Sequence, residues 1–166
     1  MACTGYHINA KQIICKYNTQ PSHFSVNTIL IKGDASFKKY LEIQNYDDEL
    51  EHLEKKYGLP YGRLYIAYYD DKVAGCIGLK KIDEKNCEMK RLYVRPKFRG
   101  KQIGEQLIEK IIRDAKEIGY SFMLLDTLPF LKSAINLYKK HGYIQEKFLK
   151  DEYGEGIHRY MMRKTL

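Results

Sequence analysis

Alternation of apolar and polar residues between Arg63 and Val94 divides the middle of the chain into short extended runs. The runs read RLYIAYY, KVAGCIGLKKI and CEMKRLYV, and the turn-forming residues DD and DEKN separate them. Short runs rich in aromatic and β-branched residues, bounded by such residues, are typical of strands. Two residues between two such runs are typical of a hairpin turn. The pattern therefore predicts three consecutive antiparallel strands, with Asp70 and Asp71 at the first turn.

The hydrophobic period changes after Val94. Apolar residues then recur at spacings of three, four and five, which is typical of one face of an amphipathic helix. This face comprises Ile103, Leu107, Ile108, Ile111, Ile112, Ala115 and Ile118, and Gly119 follows where a helix often ends in a left-handed residue. The next run, SFMLLDTL, is almost wholly apolar, as expected of a strand covered on both faces. Residues 88–126 therefore predict a central crossover of strand, loop, helix and strand, with parallel strands and the loop at the C-terminal end of the first.

The flanking segments predict the rest of the fold. A second helix, LKSAINLYKKHG, follows Pro129, and YIQEKF and IHRYMMRK are predicted to form a hairpin around the loop DEYGEG. Upstream, FSVNTILIKG at 24–33 predicts a first strand, and residues 34–57 predict one or two short helices. Residues 1–22 are interpreted as an N-terminal extension of uncertain order, before a single domain at 23–166. The fold class expected is α/β (α+β), a mixed, mostly antiparallel twisted sheet flanked by helices.

Length and cysteine usage narrow the class of protein. A chain of 166 residues with 44% hydrophobic content buries enough surface to fold as one domain without metals or disulfides. Its cysteines form no CxxC pair and have no histidines at zinc spacing, so we expect reduced thiols and no metal site. No apolar run approaches the roughly twenty residues that span a bilayer. We therefore expect a cytoplasmic protein with no membrane partner.

A strongly basic loop carries the first functional signal. The net charge of +8 is compatible with nucleic acid, an anionic membrane surface or a small polyanionic cofactor. No basic tail, RNP-like signature or zinc-finger spacing is present, so we do not expect nucleic acid as a partner. The segment VRPKFRGKQIG at 94–104 lies where the predicted strand leads into a helix N-terminus, whose free amides and dipole favour an anion. A glycine-containing turn with solvated cations is the alternative, and the segment matches neither a Walker A motif nor GxGxxG.

These residues carry a resemblance to a known family. The run from EMKRLYV through VRPKFRGKQIGEQLI to LYKKHGY resembles the GNAT superfamily of N-acetyltransferases, whose pyrophosphate loop has the form [RQ]-x-x-G-x-[GA]. The matching residues are Arg99, Gly100, Lys101, Gln102, Ile103 and Gly104. Two positions depart from the family pattern: Gln102 stands where the family usually has glycine, and Leu131 stands where an asparagine often contacts pantetheine. The resemblance implies a GNAT-like sheet and acetyl-CoA as co-substrate, with no metal.

The resemblance also implies roles for individual residues. The backbone of Leu92, Tyr93 and Val94 would pair with the pantetheine arm, an amide there would polarise the thioester carbonyl, and residues 99–104 would hold the diphosphate. Tyr138 matches the tyrosine that protonates the leaving thiolate, and a packed helix aromatic is its alternative. Glu88 matches a general base of some members, and a solvated strand residue is its alternative. His141 and His158 are further candidates for the base.

The function expected is transfer of an acetyl group from acetyl-CoA directly to a primary amine of an unidentified small molecule or peptide. A non-catalytic module of the same fold that binds CoA or another polyanion is the alternative, and a basic nucleic-acid binder is a third. A homodimer is compatible with this expectation. The acceptor pocket would draw on residues 32–62 and on the DEYGEG loop, whose sequences do not identify the amine.

Overall fold

A computed structural model describes residues 13–17, 46–150 and 158–166 of the chain. In these ranges seven strands form one sheet in the order β1-β2-β3-β4-β5-β7-β6. The strands are β1 Ile13–Tyr17, β2 Arg63–Tyr69, β3 Lys72–Lys81, β4 Asn86–Val94, β5 Phe122–Thr127, β6 Ile144–Leu149 and β7 Arg159–Thr165. The helices are α1 Tyr46–Glu51, α2 Leu53–Tyr57, α3 Ile103–Ile118 and α4 Lys132–Lys140, with a 3₁₀ turn at Pro96–Phe98.

The first hairpin forms where the sequence predicts it. Asp70 and Asp71 have φ of 47° and 57°, so both central turn residues are left-handed. Such a turn matches the twist of the strands that flank it, and aspartate tolerates this conformation better than most residues. β3 then pairs with β4 in the same antiparallel sense, which confirms three consecutive antiparallel strands.

The predicted crossover is also confirmed. β4 and β5 pair in parallel from Asn86 opposite Phe122 to Glu88 opposite Leu124, and α3 lies between them in sequence. The other strand pairs of the described sheet are antiparallel, so the sheet is mixed and mostly antiparallel as expected. The ladder between β4 and β5 ends at Glu88, although β4 continues to Val94. The last residues of β4 therefore have an edge that no strand of the described sheet pairs with.

Helices pack on both faces of the sheet. The apolar face of α3 and residues of α4 join Ile77, Leu79, Met89 and Met123 in the larger hydrophobic core. α2 covers the opposite face, where its Leu53 and Tyr57 pack on β2 and β3. A Cβ atom at Gly78 would lie 2.7 Å from the Tyr57 ring, so only glycine lets that ring rest on β3. We call these the α3 face and the α2 face.

The structure differs from the sequence prediction at β5. Met123, Leu125 and Thr127 are buried, whereas Phe122, Leu124 and Asp126 are only half-buried. Both faces of the strand are covered, as expected, but unequally, because α3 and α4 cover one face and the other carries polar neighbours. Arg163, for example, lies 4.8 Å from the Phe122 ring.

The N-terminal segment contributes an edge strand that the sequence did not predict. β1 pairs with β2 from Ile13 opposite Tyr69 to Tyr17 opposite Tyr65. The short helices α1 and α2 lie within the region predicted for them, and β6 and β7 form the predicted hairpin. The strand expected at 24–33 and the DEYGEG loop lie outside the described residues, and the domain boundary at residue 22 stays a prediction. Among the described residues no helix combines the length and apolarity needed to cross a membrane.

Candidate active site

A bulge shapes the free edge of β4. The register changes between Cys76 opposite Tyr93 and Gly78 opposite Lys90, so Ile77 faces two residues of β4. Within the bulge Arg91 has a left-handed φ of 58°. A bulge redirects the backbone that follows it. Residues 92–94, which are predicted to pair with a pantetheine arm, therefore come directly after the bulge. They lie beyond the point where β4 and β5 stop pairing.

The loop after β4 ends in the positive end of a helix. Gly100 and Gln102 have φ of 77° and 59°, which turn the chain into α3. Among the described residues, the amides of 100–105 donate to no backbone or side-chain acceptor. Free amides at a helix N-terminus, reinforced by the helix dipole, favour a phosphate group. Free amides therefore lie at 100–104, within the residues predicted to hold a diphosphate, whereas the Arg99 amide donates to the Pro96 carbonyl at 3.1 Å.

The side chains of this loop leave the backbone accessible. Arg99 donates from Nε to the Val94 carbonyl at 3.3 Å, and Lys101 Nζ lies 4.6 Å from the Tyr69 ring centroid. Ile103 is buried and anchors the helix start. A Cβ at Gly104 would lie 3.4 Å from Leu137 Cδ2, an ordinary contact, so packing does not require glycine there. A ligand that approaches the amides would explain why residue 104 is a glycine.

Glu88 lies at the point where β4 and β5 separate. Its carboxylate pairs with Lys90 Nζ at 3.1 Å and with Lys80 Nζ at 3.7 Å. Its side chain is 16% exposed. Because Met89 packs in the core on the α3 face and successive strand residues alternate, Glu88 lies on the α2 face.

Asp126 is a second carboxylate of this region that the sequence analysis missed. It follows Leu124 by two residues on β5, so it shares the α2 face with Glu88. It pairs with the buried Arg159 of β7. Burial raises the pKa of Asp126; the charge of Arg159 opposes that shift, and the charge of Glu88 adds to it. The signal in the sequence was one charged residue inside an apolar run, MLLDTL.

Tyr138 lies on the opposite face of the sheet from Glu88 and Asp126. Tyr138 belongs to α4, is 7% exposed and packs in the core of the α3 face. Its ring centroid lies 6.0 Å from that of Tyr143. Burial raises the pKa of Tyr138 to about 12, so the hydroxyl keeps its proton at physiological pH. The two carboxylates and the protonated tyrosine therefore belong to opposite faces of the sheet.

The two histidines lie at the end of α4 and directly before β7. His141 is the C-terminal cap of α4. One of its ring nitrogens and one carboxylate oxygen each of Glu105 and Glu109 lie within 4.8 Å of one another. Lys140 Nζ already pairs with Glu105 at 2.5 Å, which joins α3 to α4. His158 lies at the start of β7, 5.6 Å from the Phe148 ring.

Comparisons with known proteins agree with this geometry. Residues 33–143 match the acetyltransferase (GNAT) family. An uncharacterized N-acetyltransferase of Schizosaccharomyces pombe is 38% identical over 138 residues, which cover 75% of this chain and 85% of that protein. The chain belongs to the GNAT family of acetyltransferases.

Solved structures show the same fold. The crystal structure of an acetyltransferase from Streptococcus agalactiae has a TM-score of 0.76 and 25% identity, over 95% of this chain and 100% of that one. A GNAT family acetyltransferase from Elizabethkingia anophelis, solved with acetyl-CoA bound, has a TM-score of 0.64 and 22% identity, over 93% of this chain and 97% of that one. The GNAT-like mixed sheet expected from the sequence is confirmed.

Proposed function

We propose that the protein transfers an acetyl group from acetyl-CoA directly to a primary amine of a small molecule or peptide. One observation carries the proposal: the unpaired edge of β4 leads from the carboxylates of Glu88 and Asp126 to the free amides at the start of α3. An elongated ligand with a diphosphate at one end and a thioester at the other fits such a path.

Acetyl-CoA would be held mainly by backbone groups. The amides of residues 100–105 would bind the diphosphate, and the edge at 92–94 would pair with the pantetheine arm. Charge-assisted hydrogen bonds contribute about 1.5 to 3 kcal/mol each, so a few of them support micromolar binding. Acetyl-CoA supplies the activated acetyl group, and the chain supplies binding and orientation.

The carboxylates would prepare the acceptor. An alkyl ammonium with a pKa near 10.4 is deprotonated in only about one molecule in 2,500 at pH 7, which costs about 4.6 kcal/mol. A carboxylate that takes this proton, directly or through water, removes the cost. We assign the role to the pair Glu88 and Asp126. Two lysines pair with the Glu88 carboxylate, and burial raises the pKa of Asp126 toward that of a useful base.

Tyr138 would act on the leaving group. As the amine nitrogen bonds to the carbonyl carbon and the carbon–sulfur bond breaks, a β4 amide would stabilise the oxyanion and the Tyr138 hydroxyl would protonate the thiolate. The nitrogen loses two protons, one from the ammonium before attack and one as the amide forms; both leave by way of the carboxylates to solvent, and solvent returns one to Tyr138. This sequence needs no covalent intermediate on the enzyme.

The experiment that tests the proposal is a screen for thiol release from acetyl-CoA. Polyamines, amino acids, aminoglycosides and peptides serve as acceptors, and reactions without acceptor give the background. We expect release that depends on at least one class of primary amine, with the acetylated amine identified by mass spectrometry. Release without an acetylated product would contradict direct transfer.

A non-catalytic CoA-binding module is the second candidate function. The ion pairs from Lys80 and Lys90 to Glu88 favour it, because each carboxylate oxygen of Glu88 already faces a lysine instead of an acceptor amine. This candidate predicts CoA binding without thiol release for every acceptor class. The screen combined with a binding measurement therefore separates the two functions.

A further inference from the structure

A buried carboxylate ties α1 to the bulge of β4. Glu49 is 3% exposed and accepts hydrogen bonds from Arg91 Nε at 2.6 Å and Arg91 Nη2 at 2.7 Å. The Tyr57 hydroxyl donates to it at 2.7 Å and Lys56 Nζ at 2.5 Å. The Glu49 and Arg91 side chains are 1% and 4% exposed. Four donor groups of three residues, from α2 and β4, thus meet on one carboxylate of α1.

The same arginine carries the strained backbone of the bulge. Arg91 has a φ of 58°, a conformation that costs a side-chain-bearing residue free energy. Its carbonyl accepts a hydrogen bond from Cys76 Sγ at 3.1 Å. Both the backbone and the guanidinium of Arg91 are therefore fixed, the first by β3 and the second by Glu49. The next residue along the chain is Leu92, where the candidate thioester-binding edge begins.

Stability alone does not account for this arrangement. Two buried charges lose their hydration, and apolar side chains of similar size often stabilise a fold as well. A bidentate arginine–carboxylate pair differs from an apolar pair in fixing one orientation. Burial would raise the pKa of Glu49, but the hydrogen bonds and charge of Arg91 outweigh it and lower that pKa to about 2, so the pair stays ionised.

We propose that Glu49 is a positioning residue for acetyl transfer: through Arg91 it holds the β4 bulge in the conformation that directs the backbone of residues 92–94 toward the thioester. The inference rests on the proposed function, because the segment it positions is the one assigned to the thioester carbonyl. Glu49 touches neither substrate nor reacting atoms. It acts on the reaction through the shape of the backbone one residue beyond Arg91.

The first test compares Glu49→Gln with a matched control. Glutamine keeps the volume and loses the charge, so the bidentate pair is weakened. Tyr65→Phe is the control, because it removes a hydroxyl that donates at 2.6 Å to another buried carboxylate, Asp114, on the α3 face.

We expect Glu49→Gln to lower kcat by about tenfold to a hundredfold, since small misplacements in a site have effects of that size. The KM for acetyl-CoA should stay within about threefold, because the diphosphate amides are untouched, and Tyr65→Phe should keep its kcat. Equal kcat values for the two variants, measured on the folded fraction, would overturn the proposal.

A second test uses the positive φ at position 91. Glycine adopts a positive φ readily and alanine does not. In the Glu49→Gln background, Arg91→Gly should therefore keep the bulge better than Arg91→Ala, although glycine has the smaller side chain. We expect the glycine double variant to have a kcat about five times that of the alanine double variant or higher. A glycine variant no faster than the alanine variant would show that the conformation at 91 does not matter.

A third measurement does not depend on the proposed function. Amide hydrogen exchange at 92–94 in the unliganded chain should be about tenfold faster in Glu49→Gln than in wild type, while exchange in α3 stays the same. Unchanged exchange at 92–94 would reject the inference even if wild type transfers acetyl groups. A wild type that transfers no acetyl group, with the exchange effect present, would reject the proposed function and leave the bulge without a catalytic role.

Discussion

Tyr138, Glu88 and Asp126 differ in the partners that surround their polar groups. Burial without a charged partner gives Tyr138 a raised pKa, whereas Asp126 balances burial against Arg159. Glu88 sits between two lysines. The sequence placed Glu88 and Tyr138 by family pattern, but it could not supply these partners. Arg159 lies 33 residues from Asp126, and sheet pairing alone brings them together.

At the residue scale, the first prediction concerns Tyr138→Phe. The variant keeps the buried ring and removes the hydroxyl, so CoA affinity should stay within a few fold while kcat falls. A phenol with a pKa of about 12 is a weaker acid than an ordinary thiol near 8.5, so we expect a loss of about tenfold to a hundredfold, at the low end for general acids. Steady-state kinetics with any acceptor found in the screen measures it. An unchanged kcat would leave Tyr138 as a packed aromatic.

The second prediction separates the two carboxylates by pH. If one of them takes the proton from the amine, its amide variant should lose activity at pH 7 and recover as the pH approaches the pKa of the amine. Since the pKa of Asp126 is raised, its carboxylate loses charge as pH falls through that raised value, and wild-type activity should fall with it. Profiles of kcat/KM for Glu88→Gln and Asp126→Asn measure this. A loss independent of pH would assign the residue to structure or binding.

At the scale of elements, local sequence predicted local structure. The two aspartates at 70–71, the stripe of α3 and Gly119 with its φ of 102° each act within a few residues, so the sequence revealed them. The edge strand β1 was missed because its partner β2 lies about fifty residues away in sequence and its own pattern is short. The β4 bulge was missed for a similar reason. In the sequence Arg91 looks like any strand residue, because its partner Glu49 lies 42 residues earlier.

The start of α3 gives the third prediction. Gln102 has a left-handed φ of 59° at the position where the family pattern has glycine, and its side chain makes no capping hydrogen bond. Gln102→Gly should relieve strain of about 1 kcal/mol, offset in part by the greater freedom of glycine in the unfolded chain. We expect a small rise in Tm and CoA binding at least as tight as that of wild type. Gln102→Ala is the control, because it removes the side chain and keeps the strain. Weaker CoA binding by the glycine variant would show that the glutamine itself contacts the ligand.

At the scale of the whole molecule, two helical layers meet the sheet with different polarity. The α3 face has the larger apolar core and buries one carboxylate, Asp114, whereas the α2 face combines a smaller apolar cluster with the Glu49 network and the carboxylates of β4 and β5. Glu49 of the α2 face should therefore contribute to the response of stability to acid. The sequence predicted the apolar layer from its period, but it had no pattern for charges that pair across elements.

The fourth prediction follows from the Glu49 pKa. A carboxyl whose folded pKa of about 2 lies below its unfolded value near 4.5 stabilises the fold above the unfolded value, and this contribution is lost as pH falls through about 2. The shift corresponds to roughly 3 kcal/mol at most. Urea unfolding at pH 7 should show Glu49→Gln less stable than wild type, and the difference should shrink below pH 4. A difference that stays constant with pH would contradict the ion pair.

The measurement that tests the central claim most directly is calorimetric titration of acetyl-CoA into wild type and Gly104→Asp. The claim is that the free amides at the start of α3 hold the diphosphate. Because a Cβ at Gly104 makes only ordinary contacts, the aspartate variant should fold, and circular dichroism and Tm confirm that it does. A carboxylate there repels the diphosphate at the helix N-terminus, so we predict micromolar binding by wild type and at least about tenfold weaker binding by the variant. Equal affinities, or no binding by wild type at millimolar acetyl-CoA, would contradict the account.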